Sequence, residues 1–299
     1  SATTTYHTNV TLNKGTIHGD AYGGGLGRAY KAAVAAQAAI GTEGEEGYVP
    51  AVAAQPEVTG IAAQVNGNVT VTQNGVAFVR STTEDDNRNT VVTAGRIFGC
   101  NNLNGSPKGT VLVKVLKTAR ADGGAHTKSV YDANGNLTTY NYELQAVYGG
   151  GNLAAYDPDS PSDKKATVIV DSCDLSSIAY VYGGGNAAPV PATDVTINGS
   201  YEIGQVFGGG NGKDRVNGAE NPGADVGLID RGSGKVSYGA GTAETNILGG
   251  TIHSVFGGSN TKGDVVTSAT VTLNQNLETC EFIVGEVYGA GNEAYMNSQ

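Results

Sequence analysis

The chain has 299 residues, with 18 Lys and Arg against 28 Asp and Glu, a formal charge of −10. That balance argues against nucleic acid as a partner, because such binding rests on Lys and Arg contacts to phosphate, and against electrostatic attachment to an anionic bilayer. No apolar run approaches the ~20 residues of a membrane helix, so this segment is not expected to insert into a membrane.

Val10 and Leu12 alternate with Thr11 and Asn13 in the stretch from Asn9 to Ile17, the period of a half-buried strand. Ala21-Tyr22-Gly23-Gly24-Gly25-Leu26 follows. Residues Gly27 to Ile40 are Ala-rich and read as a short helix, and Gly41 to Pro56 as loop. Asn68 to Val79 returns to strand, and Glu84-Asp85-Asp86-Asn87 is a polar tip. Ile97-Phe98-Gly99-Cys100-Asn101-Asn102 comes next, then a strand from Thr110 to Lys117 with Val111, Val113 and Val115 on one face. Tyr131 to Tyr140 reads as a hairpin turning at Asn134-Gly135. Four further copies of one pattern complete the chain besides Val147 to Asn152: Val181 to Asn186, Val206 to Asn211, Val255 to Asn260 and Val287 to Asn292. Strands precede them at Thr167 to Val170, Asp194 to Gly199 and Ala269 to Asn274. Polar loops lie at Tyr156 to Lys165 and Gly212 to Lys235.

The shared unit is apolar-x-x-[Val/Ile]-[Tyr/Phe]-Gly-small-small-Asn, with Leu144, Ile178, Ile203, Ile252, Val284 and Ala94 at its first position. Seven copies signal a repeat architecture. From Tyr182 to Phe207 is 25 residues, enough for one circuit of short strands and corners; from Tyr22 to Phe98 is 76. The longer gaps read as insertions, at about 27–60, 118–143, 153–165 and 212–240, in a single domain spanning 1–299. The chain opens on Ser1 without Met, so a fragment of a larger protein is expected.

A strand with one apolar face cannot bury it alone; a second circuit stacked on it turns each repeat position into a ladder. The Val/Ile position becomes an interior aliphatic row. Tyr22, Phe98, Tyr148, Tyr182, Phe207, Phe256 and Tyr288 become a row of rings whose para positions reach solvent or a polar groove. The glycines supply either left-handed backbone or close approach. Asn102, Asn152, Asn186, Asn211, Asn260 and Asn292 supply either a left-handed corner or a row of amides bonded one to the next.

On these Val-Tyr-Gly-Gly-Gly-Asn copies the chain resembles the glycine-rich, right-handed parallel β-helix domains of bacterial cell-surface and adhesin-like proteins. The resemblance implies an all-β fold, a right-handed parallel β-helix with loop insertions and one short Ala-rich helix. It implies secretion or display at the cell surface, an adhesion or stalk role, and a surface glycan or protein as partner. It carries no catalytic residue to transfer.

Other chemistry is sparse. Cys100, Cys173 and Cys280 are far apart and read as small buried residues without a disulfide framework. Gly209 to Asn217 fits a calcium nonapeptide, which makes Asp214 a candidate ligand, but the other copies lack its Asp. Asp157, Asp159 and Asp163, or Glu84, Asp85 and Asp86, are oxygen donors without an EF-hand frame. His18 and His253 occupy matching Gly-Thr-Ile-His stretches, a structural place. No cofactor, no catalytic metal and no pair of buried carboxylates is expected. The expected function is non-enzymatic adhesion or support; the alternative is a carbohydrate-active β-helix that binds or cleaves polysaccharide, as a lyase or glycosidase. An ice-binding solenoid wants regular Thr rows, which the uneven gaps disfavour.

Overall fold

The computed structural model describes residues 5–84, 90–213, 216, 220–275, 280–294 and 296. Two large parallel sheets dominate it. The first takes Thr8–Leu12, Val69–Phe78, Val111–Ala119, Ala166–Asp171, Thr193–Gly199, Thr242–Ile247 and Ser268–Leu273 in that spatial order, with Thr16–Ile17 also paired to Val69–Phe78. The second takes Ala21–Tyr22, Arg96–Phe98, Leu144–Tyr148, Ser177–Tyr182, Glu202–Phe207, Gly250–Phe256 and Phe282–Tyr288. Sequence order and spatial order coincide in both sheets. Each pass through the first is followed by one through the second, and successive circuits lie side by side.

The period-2 pattern explains the core. Val71, Val113, Val168 and Val195 are register partners across adjacent strands and all point inward. Ile97, Val147, Val181, Val206 and Val255 form the matching row of the second sheet, and both rows belong to one buried cluster. Burying a side chain of this size contributes ~1.5–3 kcal/mol. A short third edge closes the section, where Val226 bridges Val190 on one side and Val265 on the other.

The gap from Tyr22 to Phe98 is a single circuit, since Tyr22 and Phe98 are register partners. Close approach accounts for the first glycine of every motif but the last, where Gly289 has no further circuit against it. A Cβ on Gly149 would lie 2.3 Å from the carbonyl oxygen of Gly183, and one on Gly183 would lie 2.3 Å from that of Gly208. Neither glycine has a positive φ, so it is the next circuit's backbone that excludes a side chain here.

Three expectations are corrected. The first is the Ala-rich helix over Gly27 to Ile40. Residues 28–40 instead run antiparallel to residues 49–61, bridged at Arg28–Ile61, Lys31–Val58, Val34–Gln55, Gln37–Val52 and Ile40–Val49. Each pair exchanges two backbone hydrogen bonds of 2.8–3.0 Å. Bridges three residues apart match the turn of a polyproline II helix, not the 3.6 of an α-helix. Pro50 and Pro56 fall between bridges, where no N–H is needed. The second is the cysteines: Cys173 and Cys280 form a disulfide, leaving Cys100 as a buried free thiol. Burial alone pushes that thiol up, so it stays protonated. The third is the equivalence of His18 and His253. Thr16–Ile17 joins the first sheet, whereas Gly250–Phe256 belongs to the second.

The insertions add short hairpins: Ser81–Glu84 with Thr90–Ala94, Val130–Tyr131 with Leu137–Thr139, and Leu228–Asp230 with Lys235–Ser237. At the tip of the second, Asp132 accepts the N–H groups of Asn134 and Asn136, and Gly135 has φ +81°.

Candidate functional site

Alternation along the second sheet sends two rows of side chains to its outer side. One is the aromatic row. Tyr22, Phe98, Tyr148, Tyr182, Phe207, Phe256 and Tyr288 stack in that order, with neighbouring centroids 4.6–5.0 Å apart and planes within 12° of parallel. The other row stands two residues earlier, with Arg96, Ala146, Tyr180, Gln205, Ser254 and Glu286 as register partners.

A row of asparagines flanks the rings. Asn152, Asn186, Asn211, Asn260 and Asn292 each donate Nδ2 to the Oδ1 of the asparagine one circuit back, at 2.8–3.1 Å, and the row begins at Asn102. Asn211 and Asn260 also reach the hydroxyls of Tyr148 and Tyr182, both at 3.4 Å. The buried phenols therefore have polar neighbours at their para positions.

Between the two rows runs a groove of about 370 Å³. Its floor is low at Ala146, the small residue between Arg96 and Tyr180 in the outer row. Tyr180 is half-buried and stands 6.0 Å from Tyr182, ring to ring. Gln145 and Gln205 contribute amides to the wall. Arg96 is fixed by Asp20, whose carboxylate accepts from Nη2 at 2.7 Å, from Nε at 3.1 Å and from the Arg96 backbone at 2.9 Å. The Tyr22 hydroxyl, buried and beside Asp20, is pushed well above the usual phenol range. Aromatic faces next to amides and guanidinium groups suit a polyhydroxylated chain, whose rings stack while its hydroxyls exchange hydrogen bonds.

The absence of a buried carboxylate pair does not hold. Glu143 precedes Leu144–Tyr148 and Glu202 opens Glu202–Phe207, two strands of the second sheet separated by Ser177–Tyr182, and both are nearly inaccessible. Glu143 accepts from Thr118 Oγ1 at 2.6 Å and pairs with His126 Nδ1 at 2.7 Å. Glu202 accepts from Ser177 Oγ at 2.7 Å and from the Ser129 N–H at 2.8 Å. These bonds pin the 120–142 insertion onto the sheet, assisted by Tyr131, which stacks on His253 at 4.0 Å. Neither carboxylate lines the groove.

Asp214 lies outside the described residues, as do Asp85 and Asp86. Asp157 is occupied by Arg231, with contacts of 2.7 and 2.8 Å. Among the described residues no three His, Cys, Asp or Glu side chains converge as metal ligands, and no helix is long and apolar enough to cross a membrane.

Sequence reasoning named the rings and the asparagines but missed Arg96, Tyr180, Gln145 and Gln205. The same alternation that marks the aromatic points to the residue two places earlier, which finds Arg96, Tyr180 and Gln205 but not Gln145, three places before Tyr148. Arg80 had no such signal, because it enters from the base of an insertion hairpin.

Tyr140, Tyr142, Tyr156 and Tyr238 all have hydroxyls pushed up, primarily by burial, from the ordinary 10.0. The unfolded chain gives up these protons near 10.0 while the folded protein keeps them, so the stability they contribute is complete below that pH and declines above it. The thermal midpoint is expected to fall steeply above pH 10.0. Tyrosinate absorbance that rises fully near pH 10.0 in the folded protein would contradict this.

No protein-family model, curated protein or solved structure matches this chain in the three comparisons.

Proposed function

We propose that this chain is a non-catalytic, extracellular domain of a surface protein, a right-handed parallel β-helix whose outer groove holds a surface glycan. The observation that carries the binding role is the groove itself: Tyr180 beside Gln145 and Gln205 on a sheet braced by two continuous side-chain ladders. A site on strands is held more rigidly than one on loops, which suits recognition of a stiff repeating chain. The handedness follows the strong rule that strand–crossover–strand connections in parallel sheets are right-handed. The disulfide between Cys173 and Cys280 supports a place outside the reducing cytosol.

Cleavage is the second reading, and Glu143 with Glu202 and His126 is the observation in its favour. Their hydrogen bonds to Thr118, Ser177 and Ser129 give them a structural task. An inventory of glycans retained by the immobilised protein tests the binding role. The Tyr180→Ala variant is expected to retain its best glycan about tenfold less tightly, the effect of losing one central aromatic contact. Equal retention by the variant would remove the groove from the proposal.

A further inference from the structure

We infer that the groove selects acidic oligosaccharides, and that Arg80 reads the acid group. The inference rests on the glycan reading above and narrows it. The chain as a whole is strongly acidic, at −10. Yet among the described residues the groove lining includes Arg80, Arg96 and Lys213 and no Asp or Glu. The described lining thus opposes the net charge, which concentrates anions there.

The three cations are not equivalent. Arg96 is neutralised from behind by Asp20, with both side chains almost fully buried. Arg80 is exposed and has no carboxylate within ion-pair distance among the described residues. Its position is nonetheless fixed. The guanidinium carbon lies 4.6 Å from the centroid of the Tyr140 ring, and Nε donates to Gln145 Oε1 at 2.6 Å. That bond uses Nε and leaves the two terminal nitrogens, a fork that can take a carboxylate with two hydrogen bonds.

Gln145 is oriented by the same contacts. Its Oε1 accepts from both Arg80 Nε and the Tyr140 hydroxyl, each at 2.6 Å. That occupies the acceptor and leaves the Nε2 donors for a ligand oxygen. Gln145 is nine-tenths buried and is followed directly by Ala146, the register partner of Tyr180. Acid-binding fork, amide donor and stacking ring are therefore about one strand spacing apart, ~4.8 Å, within the reach of one or two sugar rings.

The test is a titration of the intact, oxidised protein with an oligogalacturonate and with its fully methyl-esterified form, which keeps the rings and removes the charge. The acid form is expected to bind about tenfold tighter than the ester, the gain of one charge-assisted bidentate contact. Arg80→Gln should bring the two to parity, with near-ultraviolet dichroism confirming that the variant is folded. Equal binding of acid and ester by the unmodified protein would overturn the acid selectivity while leaving the glycan reading standing. A preference that survives in Arg80→Gln would overturn the assignment to Arg80. Arg80-dependent binding of a poly-glutamate peptide as tight as that of the oligogalacturonate would overturn the sugar class. Failure of every glycan, acidic or neutral, to bind would sink the groove's proposed function as well.

Discussion

Replacing Phe207 with alanine is expected to destabilise the protein by ~3–5 kcal/mol, through lost burial and the cavity left behind. Phe207 is fully buried and is held between Tyr182 at 5.0 Å and Phe256 at 4.8 Å. The substitution removes two stacked contacts, each worth ~0.5–1.5 kcal/mol beyond area. In an array whose units touch only their neighbours, weakening one interface in the middle uncouples the two halves. Tyr288 makes the useful comparison, because among the described residues it stacks on Phe256 alone and it is 45% exposed. Tyr288→Ala should cost far less. Denaturant midpoints for both variants decide the matter: an unchanged midpoint for Phe207→Ala means that the rings are not a packed row.

Removing the disulfide should have an effect of similar size. Cys173 and Cys280 are 107 residues apart, and closing a loop of about that length stabilises by up to ~4.7 kcal/mol in the chain-entropy view. Cys173 follows a strand of the fourth circuit and Cys280 precedes a strand of the seventh. At ~4.8 Å per circuit these would be ~14 Å apart, whereas their Cα atoms are 5.1 Å apart. Cys280 therefore lies back across the corners of the intervening circuits. Gly199 and Gly249 make room: a Cβ on the first would lie 2.8 Å from Cys280 Sγ, and one on the second 3.2 Å from Cys280 Cβ. The bond ties down the most exposed circuit, where Leu273, Ile283 and Val287 are all more than 40% accessible. The Cys173→Ser, Cys280→Ser double variant should lose ~2–5 kcal/mol and become sensitive to protease first in its last circuit. A midpoint and a digestion pattern matching the oxidised protein would show that the bond constrains nothing.

Much of this scaffold was legible in the chain, and the reasons are physical. The repeat placed an aliphatic residue, a ring and an asparagine at fixed offsets, and parallel stacking in register turns equal offsets into adjacency. The circuits with insertions obey the same rule, so Tyr22 meets Phe98 across 76 residues as closely as Tyr182 meets Phe207 across 25. The Ala-rich arm was misread because alanine favours helix by propensity. Its informative signal was the period: Lys31, Val34, Gln37 and Ile40 stand three apart, as do Val49, Val52, Gln55 and Val58. The disulfide was hidden because cysteines 107 residues apart give no spacing cue, and only the folded chain brings them together. The buried carboxylates were hidden because their partners His126 and Ser129 come from an insertion outside the repeat. The groove was half visible: Arg96, Tyr180 and Gln205 follow the alternation, and Gln145 and Arg80 do not.

The central claim is that this groove holds a glycan without cleaving it. The direct measurement is to saturate the protein with the glycan it retains best, recover that glycan after prolonged incubation, and count its reducing ends. The account predicts a bound chain of unchanged length, with retention lost in Tyr180→Ala. New reducing ends or unsaturated sugar ends, formed in proportion to the protein and abolished by Glu143→Gln or Glu202→Gln in a folded variant, would contradict it.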